Sequence, residues 1–352
     1  MKPRVAVAMS GGVDSSVAAW LLARQGYDLD GVSMRLYDAR ETTASSGCCS
    51  PEDFRDARAV AASLGIPYYV LNFSREFETR VIDNFVADYR AGLTPSPCVL
   101  CNTHLKFRHL LERMRAAGCD YVATGHYAAR RGEGPFRLAK AADAAKDQSY
   151  FLYGITQDEL AHTLFPLAGL TKDEVRGIAR QAGLPTAEKA ESQEICFVGD
   201  GDYAALVEAR GGKLPAGDIR DREGRVLGRH EGIHRFTVGQ RRGLGVAAAQ
   251  PLYVTALDAA SNSVVVGASE DLLCRAFSAE RVSWVGAAPR AALRAAVKVR
   301  YRHPEVACEL VPGEGGALRV NLATPVRAVA PGQAAVFYDG DEVLGGGWIR
   351  LD

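Results

Sequence analysis

Over the first half of the chain, short apolar runs alternate with longer stretches whose apolar positions recur at helical spacing. The runs lie at residues 5–9, 31–36, 68–73 and 121–124. Apolar runs of this length, bounded by turn signals, read as buried strands. Helical patterns between successive strands then predict a parallel, doubly wound sheet. The helix boundaries are marked: Ser50-Pro51-Glu52-Asp53 opens a helix that Gly65 ends, and Gly92 and Gly118 close two more. Past Lys146 the pattern is helical, with capping boxes at Thr156-x-x-Glu159 and Thr171-x-x-Glu174 and a stop at Gly183-Leu184-Pro185. From about Gly201 the character changes to short strand-like runs at 252–256, 263–267, 281–285 and 335–338, separated by glycine- and proline-containing turns. The expected organisation is an α/β domain over 1–204, a small mainly β domain over 205–275 and a β-barrel over 276–352.

Ligands of doubly wound sheets bind outside the carboxyl ends of the strands. The run Ser10-Gly11-Gly12-Val13-Asp14-Ser15-Ser16 directly follows the first strand. Two glycines permit a tight turn, and the helix behind them points unpaired N–H groups into it, which suits an oxyanion. Ser15 and Ser16 add hydroxyls, and Asp14 adds a carboxylate able to hold magnesium. The segment lacks the lysine of a Walker loop and the glycine spacing of a dinucleotide fingerprint. It resembles the pyrophosphate-binding PP-loop of the ATP pyrophosphatases; an ordinary glycine-rich strand-to-helix turn is the plainer alternative. Met34 and Gly125-His126 end two other predicted strands and should line the same crevice.

Composition narrows the picture. In 352 residues, 42 Lys and Arg balance 42 Asp and Glu, so any nucleic-acid binding must come from local patches. No apolar run approaches membrane-spanning length, and Met1-Lys2-Pro3-Arg4 leads into a strand too short for a signal peptide. A cytoplasmic protein without membrane association is expected, with its eight cysteines kept for thiol chemistry or metal ligation.

Two cysteines stand in chemically suggestive places. Cys101 closes the proline-stiffened loop Pro95-Ser96-Pro97-Cys98-Val99-Leu100-Cys101-Asn102. With Asn102 as N-cap of a helix running to Ala117, its thiol would lie at a positive helix end that lowers an ordinary pKa of about 8.5. Cys196 lies in Glu191-Ser192-Gln193-Glu194-Ile195-Cys196-Phe197-Val198-Gly199, and an Ile-Cys-Phe-Val run alone is more often a buried strand with a packed thiol than a reactive site. The spacing Cys98-x-x-Cys101, with Cys48, Cys49 and Cys196, also permits zinc or an iron–sulfur cluster. Adjacent Cys48 and Cys49 are hard to aim at one ion, so no metal centre of either kind is expected. Cys119, Cys274 and Cys308 read as packing, and His104, His109, His162, His230, His234 and His303 show no metal spacing. Arg290, Arg294, Lys298, Arg300 and Arg302 run without an intervening acid around the Tyr301 ring. That suits RNA backbone and base stacking, although a solvated strand face shows the same pattern. Gln240-Arg241-Arg242 could add a contact or simply form a glycine-capped turn.

In order along the chain stand the 10–16 loop, Cys98-Val99-Leu100-Cys101-Asn102, Thr124-Gly125-His126-Tyr127, Lys146-Asp147-Gln148-Ser149-Tyr150-Phe151, Ser192-Gln193-Glu194-Ile195-Cys196-Phe197, Gly239-Gln240-Arg241-Arg242-Gly243-Leu244-Gly245, Arg300-Tyr301-Arg302 and Pro331-Gly332-Gln333-Ala334-Ala335-Val336-Phe337-Tyr338. Over nearly its whole length this resembles the bacterial tRNA-specific 2-thiouridylase family. The resemblance implies replacement of the 2-oxygen of a wobble uridine by sulfur after adenylation by ATP, with release of AMP and pyrophosphate. It assigns ATP, with Mg2+, to Ala8, Met9, Ser10, Gly11, Gly12, Val13, Asp14, Ser15, Met34 and Gly125. It makes Cys196 the persulfide carrier and Cys101 its partner nucleophile, ending in a Cys101–Cys196 disulfide. Ser96, Pro97 and Cys98 would meet the extruded base, and His126, Asp147, Gln148, Ser149, Arg300, Tyr301 and Gln333 would contact tRNA. Some family members have Asp where this chain has Cys98, so an acid–base role is not carried over, and packing explains that thiol nearly as well. The implied partners are the tRNA anticodon loop and a persulfide relay protein or cysteine desulfurase, acting on a monomer. Two other readings stay open: a PP-loop synthetase that adenylates a small carboxylate or carbonyl compound, and a non-catalytic RNA-binding or sulfur-relay protein.

Overall fold

Val5, Ala6 and Val7 have no exposed surface because the strand carrying them, β1 (Arg4–Ala8), lies inside a parallel sheet and is covered on both faces. The computed structural model describes residues 2–37, 50–190, 195–198 and 201–351. β1 pairs on one side with β2 (Asp28–Arg35), which pairs with β3 (Tyr68–Asn72), and on the other with β4 (Tyr121–Thr124). Two apolar clusters cover the sheet. Val5, Val7 and Ala123 pack with α1 (Val13–Gln25) and α2 (Pro51–Leu64), while Ala6, Val32 and Val122 pack with Phe77, Phe85 and Leu105. The capping signals act as expected: the Ser50, Thr156 and Thr171 hydroxyls each accept a backbone N–H three residues on, with reciprocal carboxylates from Asp53, Glu159 and Glu174.

The run at 68–73 was expected to be buried and is corrected to an edge strand. β3 pairs with β2 alone, leaving Tyr69 48 % and Val70 38 % exposed. Apolar, β-branched composition is the same at an edge and at a centre, so the run alone does not distinguish them.

The half expected to be β from about Gly201 opens instead with a helix over Tyr203–Gly211, and beyond it the chain is mainly β, in two sheets. β8 (Gly217–Arg220), β9 (Val226–His230), β10 (Tyr253–Asp258) and β11 (Ser263–Gly267) form a small sheet around Ile219, Val254, Val264 and Val266. β12 (Leu273–Trp284), β13 (Leu293–Lys298), β14 (Val306–Pro312), β15 (Leu318–Arg327), β16 (Ala334–Asp339) and β17 (Glu342–Arg350) close into an antiparallel barrel through β12–β17 pairing, over Phe277, Val297, Leu310 and Phe337.

In the first half of the chain, three short strands went unread in the sequence, and in the second half β8, β9, β13, β14, β15 and β17 were not singled out as runs. β5 (Ala129–Arg131) and β6 (Arg137–Ala139) form a hairpin that joins the barrel sheet, with Ala139 opposite Glu342 and Leu138 opposite Val343. β7 (Thr163–Leu164) adds an edge beside β4. Strands of two or three residues carry no periodicity, and the hairpin's partner lies some two hundred residues away in sequence. No helix among the described residues is long and apolar enough to cross a membrane.

Candidate nucleotide and thiol site

The 10–16 loop turns at Gly11, whose φ is +75°, and Gly12 caps α1. A Cβ on Gly11 would lie 2.3 Å from the Asp53 carbonyl oxygen. A Cβ on Gly125 would lie 2.7 Å from the Ser15 nitrogen, so the end of β4 is pressed against the loop and tolerates no side chain. Ser15 Oγ donates to the Gly12 carbonyl at 3.1 Å and accepts from the Ser10 N–H at 3.2 Å, and Thr186 donates to Ser16 Oγ at 2.8 Å. β2 is tied in as well: Met9 N–H donates to Val32 O at 2.8 Å and Ser33 Oγ donates to Met9 O at 2.6 Å. Ala8, Met9, Ser10, Gly11, Gly12, Val13, Asp14, Ser15, Met34 and Gly125 therefore gather at the carboxyl edge of β1, β2 and β4.

Asp14 is strongly engaged. Lys172 Nζ contacts both its carboxylate oxygens, at 2.7 and 2.8 Å, and the Tyr127 hydroxyl donates to it at 2.9 Å. Lys172 is the first residue of the Lys172–Gln181 helix and is buried. The sequence reading missed it, since only its place beside the Thr171 capping box marked it. A second lysine, Lys189, ties the 187–189 stretch to α2 through Asp53, at 2.8 Å, and Asp56.

The helix bearing Cys101 starts earlier than expected. Ser96 precedes it, Pro97 is its first residue, and the helical run continues over 97–116. Proline fits a first helical position because its missing N–H would have no helical partner there. Asn102 is thus an interior residue rather than the N-cap, and Cys101 lies a full turn inside, in a stretch of wider π-helical backbone over Cys101–His109. Such distortions recur at functional sites. Cys101 is buried and Cys98 exposed.

Cys196 stands in a turn, not the strand that an Ile-Cys-Phe-Val run suggested. The Tyr37 hydroxyl donates to the Cys196 carbonyl at 2.6 Å. Phe197 meets Phe77 and Phe85 edge-on, with ring centroids 5.5 and 5.1 Å away. The apolar cluster that buries Cys101 is the one against which Ile195 and Cys196 pack. Two thiols nearly a hundred residues apart in sequence are therefore held on one face of the sheet. Cys48, Cys49, residues 191–194 and Gly199 lie outside the described residues. Among the described residues no group of three His, Cys, Asp or Glu side chains is arranged to hold a metal. Burial pushes the Cys119 thiol up to about 11 and the Cys308 thiol up to about 12, and raises Cys274 as well.

Around this site the expected RNA-facing residues do varied work. His126 is held by Thr124, Nδ1 to Oγ1 at 2.8 Å, and burial with the nearby Lys106 charge lowers its pKa well below the ordinary value. Gln148 Oε1 accepts from the Tyr127 N–H. Asp147 is buried and accepts from Ala141 N–H, Ser149 N–H and Ser149 Oγ, and Ser149 has no exposed surface. Arg300 donates to the Val238 and Ala328 carbonyls at 3.2 and 2.8 Å. The Tyr301 ring packs on Phe151 with centroids 4.4 Å apart. Arg290, Arg294 and Arg302 are exposed, as are Arg241 and Arg242. Gln240 accepts from Thr237 N–H and donates to the Arg242 carbonyl, holding its own turn. Gln333 reaches back to the thiol loop, where its amide donates to Thr94 O and Pro95 O.

Family models match the chain in three pieces: a tRNA methyl transferase HUP domain over residues 3–200, a tRNA methyl transferase PRC-barrel domain over 205–268 and an aminomethyltransferase beta-barrel domain over 274–349. Among curated proteins, one from Geotalea uraniireducens is 51% identical over 357 residues, covering 99% of this chain and 95% of its own. One from Moorella thermoacetica is 51% identical over 352 residues, covering 98% of each chain. One from Magnetococcus marinus is 47% identical with the same coverage. Each of the three is named tRNA-specific 2-thiouridylase MnmA.

Proposed function

The chain belongs to the tRNA-specific 2-thiouridylase family, and from that premise we propose that it exchanges the 2-oxygen of the wobble uridine of tRNA for sulfur at the expense of ATP. The observation that carries the reading is the common setting of Cys101 and Cys196 on one apolar cluster of a sheet whose carboxyl edge holds the 10–16 loop.

A uracil carbonyl oxygen is a poor leaving group, so it is first adenylated. The loop's N–H groups and the start of α1 face the charge that develops on the departing pyrophosphate. Magnesium at Asp14 would screen the phosphates, which requires that carboxylate to exchange its Lys172 contact. Sulfur arrives as a Cys196 persulfide, delivered by a relay protein or a cysteine desulfurase. In one route its terminal sulfur attacks C2 and AMP leaves; the Cys101 thiolate then attacks the Cys196 sulfur, and the electron pair of the broken S–S bond stays on the thiouridine. In the other, Cys101 attacks first, hydrosulfide departs, and it then displaces AMP from C2. Both end in a Cys101–Cys196 disulfide, which an external dithiol reduces before the next turnover.

The extruded base would meet Ser96, Pro97 and Cys98, and Met34 and Gly125 would flank the adenine. His126, Gln148, Tyr301 and Gln333 line the tRNA path in this reading. Asp147, Ser149 and Arg300, which the resemblance also sets against tRNA, are engaged by hydrogen bonds within the protein. The exposed Arg290, Arg294, Arg302, Arg241 and Arg242 would meet phosphates. The protein is taken to work as a cytoplasmic monomer with divisions near residues 204 and 275.

Incubation with ATP, a persulfide donor and bulk tRNA, followed by nuclease digestion, tests the reading. 2-Thiouridine is expected from the wild type in a single turnover and from neither Cys101→Ser nor Cys196→Ser, while both variants still release AMP. Thiolation by either variant defeats the two-thiol scheme. ATP–pyrophosphate exchange that needs a small carboxylate and ignores tRNA would favour a synthetase.

A further inference from the structure

The 10–16 loop contains an acid and no base, which is the wrong charge to face a pyrophosphate by itself. The cation comes from elsewhere: Lys172, 158 residues further along, lays its ammonium across both oxygens of Asp14. Its side chain is 10 % exposed. Asp14 is 31 % exposed, and a partly buried ion pair of this kind contributes little net stability, because desolvation offsets most of its attraction. Its construction suits an exchange. The Lys172 backbone is anchored by the Thr171 capping box and by its N–H donating to Asp143 at 2.9 Å, and the ammonium stands at the end of a four-carbon stem that can adopt other rotamers. If the ammonium leaves Asp14, the Tyr127 hydroxyl, at 2.9 Å, still satisfies the carboxylate.

We propose that Lys172 is the phosphate-binding cation of this loop: it parks on Asp14 in the resting protein and transfers its ammonium to the pyrophosphate moiety of a bound nucleotide. As the α-phosphorus–oxygen bond breaks, its electron pair passes to the leaving pyrophosphate, and Lys172 stabilises the added charge there. Lys172 thus does from a separate helix what the lysine of a Walker loop does from within. The inference rests on the nucleotide reading of the loop given above.

Calorimetric titration of the full chain with inorganic pyrophosphate and, separately, with AMP tests it. For Lys172→Met the pyrophosphate Kd is expected to rise about tenfold or more, equivalent to about 1.4 kcal/mol, with AMP affinity within twofold of wild type. For Lys172→Arg, which keeps the charge, most of the pyrophosphate affinity should return. Unchanged pyrophosphate affinity in Lys172→Met, or an equal loss for AMP, overturns the role. A wild-type experiment avoids dependence on folding of the variants: adenosine diphosphopyridoxal, whose aldehyde occupies the end of the phosphate chain, should form an imine with Lys172 that borohydride fixes and excess pyrophosphate prevents. Labelling confined to other lysines overturns the proposal. Failure of the wild type to bind either pyrophosphate or AMP would instead remove the nucleotide reading itself.

Discussion

Gln333, on the barrel, donates its side-chain amide to the carbonyls of Thr94 and Pro95 at 3.1 and 2.9 Å, so the strand-rich end of the chain holds the loop that leads into Cys101. Thr94 N–H returns the contact by donating to Pro331 O at 2.8 Å. The barrel is thereby part of the frame that positions the loop before Cys101.

Gln333→Ala removes both donors and loosens that loop, at a cost of about 1 kcal/mol in stability. Single-turnover thiolation at saturating tRNA is expected to fall about tenfold, the loss a misplaced nucleophile produces, with tRNA Kd within threefold. A loss confined to tRNA affinity would mean that this amide serves the RNA instead of the loop.

Tyr37 holds the other thiol by its backbone. Tyr37→Phe keeps the buried ring against Phe77, at 6.2 Å between centroids, but removes the hydroxyl that donates to Cys196 O. Stability should drop by about 1 kcal/mol. The thiolation rate should fall severalfold while ATP affinity stays within twofold, measured by single turnover and by nucleotide titration.

Thiol reactivity should follow exposure and pKa. Exposed Cys98 should react with iodoacetamide at pH 8 well before Cys119 and Cys308, whose thiols burial pushes up to about 11 and about 12. Peptide mass spectrometry over a time course reads the order, and early labelling of Cys308 would contradict the burial.

Asp88 gives a pH signature. Burial pushes its carboxyl from 3.8 up to about 6, with Arg281 on the barrel pulling the other way. A folded-state pKa raised above the unfolded one means that its contribution to stability is complete below about pH 4 and lost as pH rises through about 6. Asp88→Asn is therefore expected to be more stable than wild type at pH 7.5, by about 1 kcal/mol after solvent screening, and to lose most of that advantage at pH 4.5. Denaturant titrations at the two pH values measure it, and a pH-independent difference would refute it.

Local rules carried much of the architecture. β1 and the glycine turn after it were legible because a buried strand must be apolar and a tight turn beside another backbone must lack a Cβ, as the close approaches at Gly11 and Gly125 bear out. The boxes at Ser50, Thr156 and Thr171 were legible because a helix start needs a side-chain acceptor within four residues. The start of the 97–116 helix was misread because Asn102 is also a favoured cap, and nothing local chooses between it and the Ser96-Pro97 pair.

The chain's own residues thus determined its central strands, most of its helix ends, the oxyanion-shaped turn and the order of its thiol motifs, all set by neighbours within a few positions. Tertiary structure alone decided that β3 is an edge, that the 129–139 hairpin joins the barrel, that Cys101 and Cys196 share one cluster, that Lys172 covers Asp14 and that Gln333 grips the thiol loop. Each of these pairs groups separated by tens to hundreds of residues. A contact at that range leaves no periodicity in the sequence, because packing selects for shape and charge at the meeting point and not for spacing along the chain.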